Sequence, residues 1–168
     1  MLAMTSESSA VSSSDAASSA GTVAIETSVA GLREVPVSDI LHFTSPVLGF
    51  EDFDRFAIFQ TQAGPLWWLQ SVDRKDVAFC LIEPFAAGIP ADMEISGDEA
   101  SDIGAISTDE ILVLTMLVLD PDPSRIRTNL RAPILVNRRT SLAKQIVLAD
   151  TRLPIRFHLK DLQKARPA

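Results

Sequence analysis

The sequence has few of the residues that build metal, disulfide or nucleotide sites. Its 168 residues include one cysteine and two histidines. A lone thiol, Cys80, cannot form an internal disulfide. His42 has no Cys/His cluster around it that could hold a structural metal ion. Neither a G-x-G-x-x-G stretch nor a Walker loop occurs. The residues alone therefore indicate no cofactor and no catalytic constellation.

Long hydrophobic runs are also missing. The longest, at 111–119, has nine residues and is interrupted by Thr115. A helix that spans a bilayer needs about 20 apolar residues, so no membrane contact is expected. The N-terminal stretch has neither a basic region nor an apolar core of the kind that a secretory signal has. These features predict a soluble cytoplasmic protein.

Composition divides the chain into three parts. Residues 1–20 are mostly Ser and Ala, and they cannot bury enough apolar surface to offset the entropy of ordering. We predict a disordered extension there, one β domain at 21–159, and a polar tail at 160–168. With 46% hydrophobic residues, the middle part can build a single core.

Charge is distributed unevenly along this acidic chain, whose net charge is −7. Residues 92–110 contain seven acids and no base, whereas residues 125–168 contain 11 bases and two acids. Either the basic end packs among acidic elements and the charges partly neutralise, or an acidic face remains that attracts a basic partner. Direct nucleic-acid binding is not expected, because phosphate contacts need cations.

Short apolar runs between turn residues predict a mainly β fold. Strands are expected at 22–27, 34–40, 55–60, 66–71, 77–82, 111–119, 132–136, 145–148 and 150–157. The spacing of Phe50, Phe53 and Phe56 predicts a short helical turn, and a short helix is expected at 98–103. Eight or nine strands with regular turn signals favour a small antiparallel β-barrel or sandwich with one or two short helices.

Three features suggest contact residues. Trp67 and Trp68 are adjacent on a strand and must face opposite ways, so one belongs to the core and the other is expected on the surface. Glu51 and Asp52 diverge by roughly 100° on a helical turn and do not form an acid–base pair. They are either solvated carboxylates or part of a charged contact surface. Asparagines at both ends of strand 132–136 suit turns, or alternatively a partner.

Several blocks resemble the FliW family of bacterial flagellar assembly factors. In chain order they are L-G-F-E-D at 48–52, W-L-Q-S at 68–71, A-F at 78–79, E-P-F at 83–85, N-L-R-A-P-I-L-V-N at 129–137 and Q-I-V-L at 145–148. The resemblance extends from about residue 23 to residue 157. Leu48 stands where the family usually has proline, Glu83 where it has aspartate, and Lys144 where it has glycine.

The resemblance implies a binding protein rather than an enzyme. FliW-like proteins bind flagellin in the cytoplasm, and they also bind CsrA, the carbon storage regulator, and relieve its repression of flagellin translation. Occupation by one partner lowers the affinity left for the other. By resemblance, this chain is expected to be a monomer with those two partners. The positions expected nearest to partner binding are Phe50, Glu51, Asp52, Gln70, Asn129 and Asn137.

Two other functions remain open on the residues alone. A small β-barrel enzyme or ligand-binding protein, for instance of the flavin type, could hold a phosphate with arginines of the basic end. Direct RNA binding could use the same arginines together with a surface tryptophan, although the acidic total argues against it. The arginines concerned are Arg125, Arg127, Arg131, Arg138 and Arg139.

Overall fold

Seven strands close into a barrel in the computed structural model, which describes residues 21–162. The predicted extension at 1–20 and most of the predicted tail, residues 163–168, lie outside the described residues. Eleven strands and one α-helix occur within the described range. They are β1 (Thr22–Thr27), β2 (Gly31–Pro36), β3 (Ile40–Ser45), β4 (Arg55–Phe59), β5 (Leu66–Ser71), β6 (Ala78–Ile82), α1 (Gly97–Asp102), β7 (Ile111–Val118), β8 (Arg127–Thr128), β9 (Ile134–Asn137), β10 (Leu142–Gln145) and β11 (Phe157–His158).

The barrel runs in the order β7-β6-β5-β4-β3-β10-β9 and returns to β7. All neighbouring pairs are antiparallel except β3 and β10, which are parallel. Closure satisfies the backbone groups that an open sheet would leave at its edges. The C-terminal half of β7 continues outside the barrel into β8 and β11. The predicted small antiparallel barrel is confirmed, with one parallel pair that the pattern did not indicate.

Alternation along the strands fills the barrel interior with large apolar side chains. On β5, Trp67 and Leu69 point inward, while Trp68 points outward. The expected opposite orientation of the tryptophans is therefore confirmed. The expectation of a surface ring is wrong, because Trp68 is half-buried against a second cluster that contains Cys80, Ile82 and Leu117. The buried interior residues are Leu41, Phe43, Val47, Phe56, Ile58, Trp67, Leu69, Leu81, Leu114, Ile134, Val136 and Ala143.

Two further segments cover the outside of the barrel. The β1–β2 hairpin packs Ile25 and Val35 over β3 and β4. The segment that contains α1 inserts Ile103 against the outer faces of β7 and β9. The helix predicted at 98–103 is confirmed at Gly97–Asp102, where the Ser96 hydroxyl caps it by accepting from the Glu99 N–H at 3.1 Å.

Four of the predicted elements differ from the structure. The strand predicted at 34–40 ends at Pro36, because Val37–Asp39 form a 3₁₀ turn before β3 begins. The phenylalanines at 50, 53 and 56 do not share a helix, because Gly49 adopts a φ of +87° and two successive turns lead directly into β4. The strand predicted at 145–148 lies at Leu142–Gln145, because a loop of only four residues pairs Leu142 with Asn137. The strand predicted at 150–157 is reduced to the two residues of β11.

Candidate functional site

The 46–54 turn, which carries the L-G-F-E-D block, closes one part of the barrel interior. Phe50 is half-buried and meets the Phe79 ring edge-on, with centroids 4.8 Å apart and an interplanar angle of 83°. Phe53 packs beside it at 6.5 Å. Such edge-to-face pairs stabilise beyond their buried area. Phe50 therefore anchors the turn on the core.

The outer side of the 46–54 turn faces solvent. Leu48 is 62% exposed, and its N–H donates to the Gln145 side chain at 2.9 Å. Glu51 is exposed and stabilises the turn by accepting from the Gly49 N–H at 3.0 Å. Asp52 is exposed beside it. The turn therefore offers the aliphatic side chain of Leu48 and three exposed carboxylates, since Asp54 is exposed as well, on a backbone fixed by Phe50.

Gln70 lies on the outer face of β5 but is completely covered. Its carbonyl oxygen accepts from the Ser28 N–H in the β1–β2 turn at 3.0 Å. Its amide nitrogen lies 3.1–3.2 Å from four backbone oxygens, those of Ser71, Arg74, Lys75 and Val77. The amide thus joins the hairpin to the β5–β6 loop. A side chain with no exposed surface cannot contact a partner in this conformation.

The two asparagines also make local backbone bonds. Asn129 is half-buried and accepts from the Arg131 N–H at 2.9 Å, which forms an Asx turn. Asn137 is fully buried, accepts from the Arg139 N–H at 3.0 Å, and donates to the Ile103 carbonyl at 3.1 Å. The turn role that the sequence offered as one alternative is therefore confirmed for both residues.

The six expected positions are not brought together on one surface. Gln70 and Asn137 are in the interior of the fold, and Phe50 belongs mainly to the core. Glu51 and Asp52 are exposed, and part of Asn129 reaches the surface. Partner contact stays a prediction, and the geometry restricts it to the exposed side of the 46–54 turn and its neighbours.

Three residues of the basic end form ion pairs with acidic side chains from distant parts of the chain. Lys144 places its Nζ 2.7 Å from Asp102 and 2.8 Å from Glu99, and these carboxylates raise its pKa. Arg139 binds Glu110 at 2.8 Å, and Arg138 binds Asp39 at 2.7 Å. The neutralising interpretation of the charge pattern is therefore confirmed for these residues.

The set of five arginines expected to hold a phosphate or RNA is not a single group. Arg138 and Arg139 are in ion pairs, and Arg138 also lies over the Trp67 ring at 5.4 Å. Arg131 donates to the backbone oxygens of Thr151 and Leu153 at 2.9–3.1 Å. The prediction of one site formed by five arginines is therefore wrong, because Arg131, Arg138 and Arg139 make contacts within the folded chain.

A shallow groove was missed by the sequence reasoning. It encloses about 440 Å³ and is lined by Glu83, Phe85, Met93, Ile95, Thr108, Ile111, Leu112 and Val113. Phe85 is 51% exposed there, and Ile106, two residues before Thr108, is 85% exposed. The E-P-F block at 83–85 was the sequence signal that could have indicated this groove. A phenylalanine that directly follows proline lies beyond the end of the strand and points away from the hydrogen-bonded sheet. The groove offers apolar contact surface beside one carboxylate, that of Glu83.

The remaining reactive groups have structural surroundings. Burial raises the pKa of the Cys80 thiol, which keeps it protonated and unreactive. Glu83 accepts from the Trp67 indole N–H at 2.6 Å, a reach that suits glutamate in place of the usual aspartate. No group of three His, Cys, Asp or Glu side chains within residues 21–162 is placed to hold a metal ion. No helix in that range is long and apolar enough to cross a membrane.

Comparison with known proteins agrees with the blocks seen in the sequence. A family model described as FliW protein matches residues 24–159. The flagellar assembly factor FliW of Leptospira biflexa is 34% identical over 139 residues, which cover 82% of this chain and 91% of the relative. That of Caldicellulosiruptor saccharolyticus is 30% identical over 135 residues, covering 80% and 89%.

The fold agrees as well. A crystal structure of the flagellar assembly factor FliW matches with a TM-score of 0.75 and 26% identity, over 82% of this chain and 96% of that chain. The family model spans nearly all of the barrel and its covering segments. The chain therefore belongs to the FliW family of flagellar assembly factors.

Proposed function

We propose that this flagellar assembly factor binds flagellin and the translational regulator CsrA in the cytoplasm, and that it relieves CsrA repression of flagellin translation. The observation that carries the proposal is the family match over residues 24–159. In this proposal the chain acts as a monomeric binding protein and not as an enzyme.

The surface of the barrel supports a binding role. The 46–54 turn presents Leu48, Glu51 and Asp52 on a backbone that Phe50 fixes, so little ordering entropy is lost when a partner binds. The groove beside Phe85 adds apolar surface. Carboxylates next to apolar side chains suit a basic partner, since complementary charge raises the rate of encounter and excludes wrong partners.

The regulatory step is a competition between partners. If flagellin and CsrA each lower the affinity of this chain for the other, free flagellin displaces CsrA in proportion to its concentration. Repression then returns when flagellin accumulates. The coupling is reciprocal, so each partner must weaken the other by the same factor.

Isothermal titration of the full chain against purified CsrA and purified flagellin tests the proposal. We expect a Kd of about 1 μM or below for each partner. Flagellin at saturation should reduce the affinity for CsrA, and CsrA should reduce the affinity for flagellin by the same factor. Binding to neither partner at micromolar concentrations would contradict the proposed function. Simultaneous binding without coupling would contradict the partner switch alone.

A further inference from the structure

A basic cleft lies beside the extension that β8 and β11 add to the barrel. It encloses about 380 Å³ and is lined by Asp120, Arg125, Arg127, Arg156 and His158. Arg125 ends a 3₁₀ turn at Pro123–Arg125. Arg127 and His158 are direct cross-strand partners on β8 and β11. Two segments of the chain, 120–127 and 156–158, therefore bring three arginines and a histidine to one concavity.

The arginines of the cleft lack the carboxylate partners that six other cationic side chains of the described chain have. Six other cationic side chains are in ion pairs with carboxylates at 2.7–2.9 Å, namely Arg55, Arg74, Arg138, Arg139, Lys144 and Arg152. None of the three cleft arginines forms an ion pair within residues 21–162. The one interaction of Arg127 within the cleft is a long bond to the backbone oxygen of Arg125, at 3.4 Å. The fold thus leaves three cations together in an otherwise acidic protein.

The two nearby carboxylates, those of Asp120 and Asp122, accept hydrogen bonds within their own turn. Asp120 lines the cleft and accepts from the Asp122 N–H at 2.9 Å. Asp122 in turn accepts from the N–H and hydroxyl of Ser124, which lowers its pKa. Asp120 offsets one of the three guanidinium charges. The arginines and Asp120 of the lining together keep a surplus of two positive charges.

We propose that this cleft binds a phosphate dianion, either free phosphate or the phosphate of a small monoester. A monoester carries a charge of about −1.5 to −2 at neutral pH, which matches the surplus. Guanidinium forks bind such oxygens in pairs, and the repulsion among three arginines falls when an anion lies between them. The cleft volume is at the lower end of the range for small-molecule sites. The proposal is independent of partner binding by the 46–54 turn.

A single carboxylate or a phosphodiester fits less well. Each carries one negative charge and would leave the cleft with excess positive charge. An RNA strand also needs a basic track of several residues, whereas Arg131, Arg138 and Arg139 are engaged within the fold. The charge balance therefore favours a compact dianion over a polymer.

Titration calorimetry of the full chain in phosphate-free buffer tests the site. The probes are inorganic phosphate, adenosine monophosphate, adenosine and a single-stranded RNA oligomer. We expect saturable binding of the two dianions with a Kd of about 1 mM or below, and no binding of adenosine. Monoester binding at least about tenfold tighter than inorganic phosphate would identify a small organic phosphate as the ligand. Equal affinities would identify the phosphate group itself.

The variants Arg156→Gln and Arg127→Gln should each weaken dianion binding by about tenfold or more, because each removes charge-assisted hydrogen bonds. Arg74→Gln is the matched control, since it removes the same charge from an exposed ion pair with Asp76. We expect it to change the Kd by less than about twofold. Arg156 is exposed, so its substitution leaves the fold intact even if the half-buried Arg127 does not tolerate change.

Three outcomes would overturn the proposal. The first is an absence of saturable phosphate or monoester binding at about 10 mM ligand, far above the expected Kd. The second is an equal loss of affinity in Arg74→Gln and Arg156→Gln, which would indicate a nonspecific charge effect. The third is RNA binding that is much tighter than monoester binding and is lost in Arg156→Gln, which would assign the cleft to a polymer. None of these outcomes would bear on flagellin or CsrA binding.

Discussion

Gln70, in the W-L-Q-S block at 68–71, lies under the β1–β2 turn. Its amide satisfies the Ser28 N–H and several carbonyls of the 71–77 loop while remaining fully covered. Amide side chains carry both a donor and an acceptor, so they suit partner contacts and backbone turns equally well. For this reason the residue type alone did not distinguish a binding role from a structural one.

Substitution of Gln70 should affect folding. Gln70→Ala removes the acceptor of the Ser28 N–H and the amide donor that the loop oxygens share, of which those of Arg74 and Val77 keep a backbone N–H. We expect it to lower the free energy of unfolding by about 2–4 kcal/mol. Urea unfolding followed by circular dichroism measures this. Gln62→Ala, at an exposed loop position, is the control and should stay within about 0.5 kcal/mol of the parent chain. Equal stability of the two variants would contradict the structural role.

At the scale of elements, the turn after α1 and the β9–β10 loop fix how the segment that contains α1 packs on the barrel. Gly104 follows α1 with a φ of +70°, and a Cβ there would lie 3.0 Å from the Thr140 methyl group in the β9–β10 loop. Both Thr140 and Asn137 bind the Ile103 carbonyl, at 2.8 Å and 3.1 Å. The chain reversal after the helix therefore depends on a residue without a side chain.

Gly104→Ala should destabilise the protein by about 1–3 kcal/mol, since it combines a left-handed backbone with a close contact. Gly97→Ala offers a matched control at the start of α1. It has an ordinary φ and open space at the Cβ position, so we expect no loss and a gain of up to about 1 kcal/mol. Thermal unfolding of the two variants measures the difference. A Gly104→Ala variant as stable as Gly97→Ala would show that the turn tolerates a side chain.

The 46–54 turn carries the prediction about binding. Asp52→Lys reverses an exposed charge on this turn, and we expect it to weaken binding of a basic partner such as CsrA by about three- to tenfold, mainly through a slower association rate. Surface plasmon resonance gives both rates. Glu34→Lys makes the same charge change on the exposed side of β2 and should leave the rates close to those of the parent chain. Equal loss in both variants would point to net charge and not to the turn.

At the scale of the whole molecule, long-range ion pairs link acidic segments to the basic end. The Arg139 hydrogen bond at 2.8 Å holds the pKa of Glu110 below its ordinary value of 4.5. Arg152 lowers the pKa of Asp150 from 3.8 to about 2. A carboxyl group with a lowered pKa stabilises the folded state above its unfolded pKa, and that contribution is lost as pH falls through the folded pKa.

Stability should therefore decrease as pH falls from about 4.5 towards about 2. Glu110→Gln should make this decrease smaller, because one of the carboxylates with a lowered pKa is gone. Chemical denaturation at several pH values measures the slope. Arg139→Gln should reduce the slope by a smaller amount, because the Ile106 N–H still donates to Glu110 at 2.8 Å, and the double variant should add nothing to the effect of Glu110→Gln. Additive effects would show that the two side chains do not act as a pair.

The sequence by itself determined the fold class, most of the strands and the family. Period-two apolar runs and turn residues indicated a small β-barrel, and a short helix expected at 98–103 lies at Gly97–Asp102. Local preference suffices here because each of these signals acts within a few residues. The family followed from ordered blocks along the chain, which need no three-dimensional information.

Only the tertiary structure decided which residues are exposed and which charges are free. Closure through the parallel β3–β10 pair joins residues about 100 positions apart, and no local pattern encodes it. Tertiary packing also buries Gln70 and Asn137, covers part of Trp68, and engages Arg138 and Arg139. It leaves Arg125, Arg127 and Arg156 together without carboxylate partners in the described chain. Burial and charge pairing depend on long-range contacts, so residue type and spacing could not settle them.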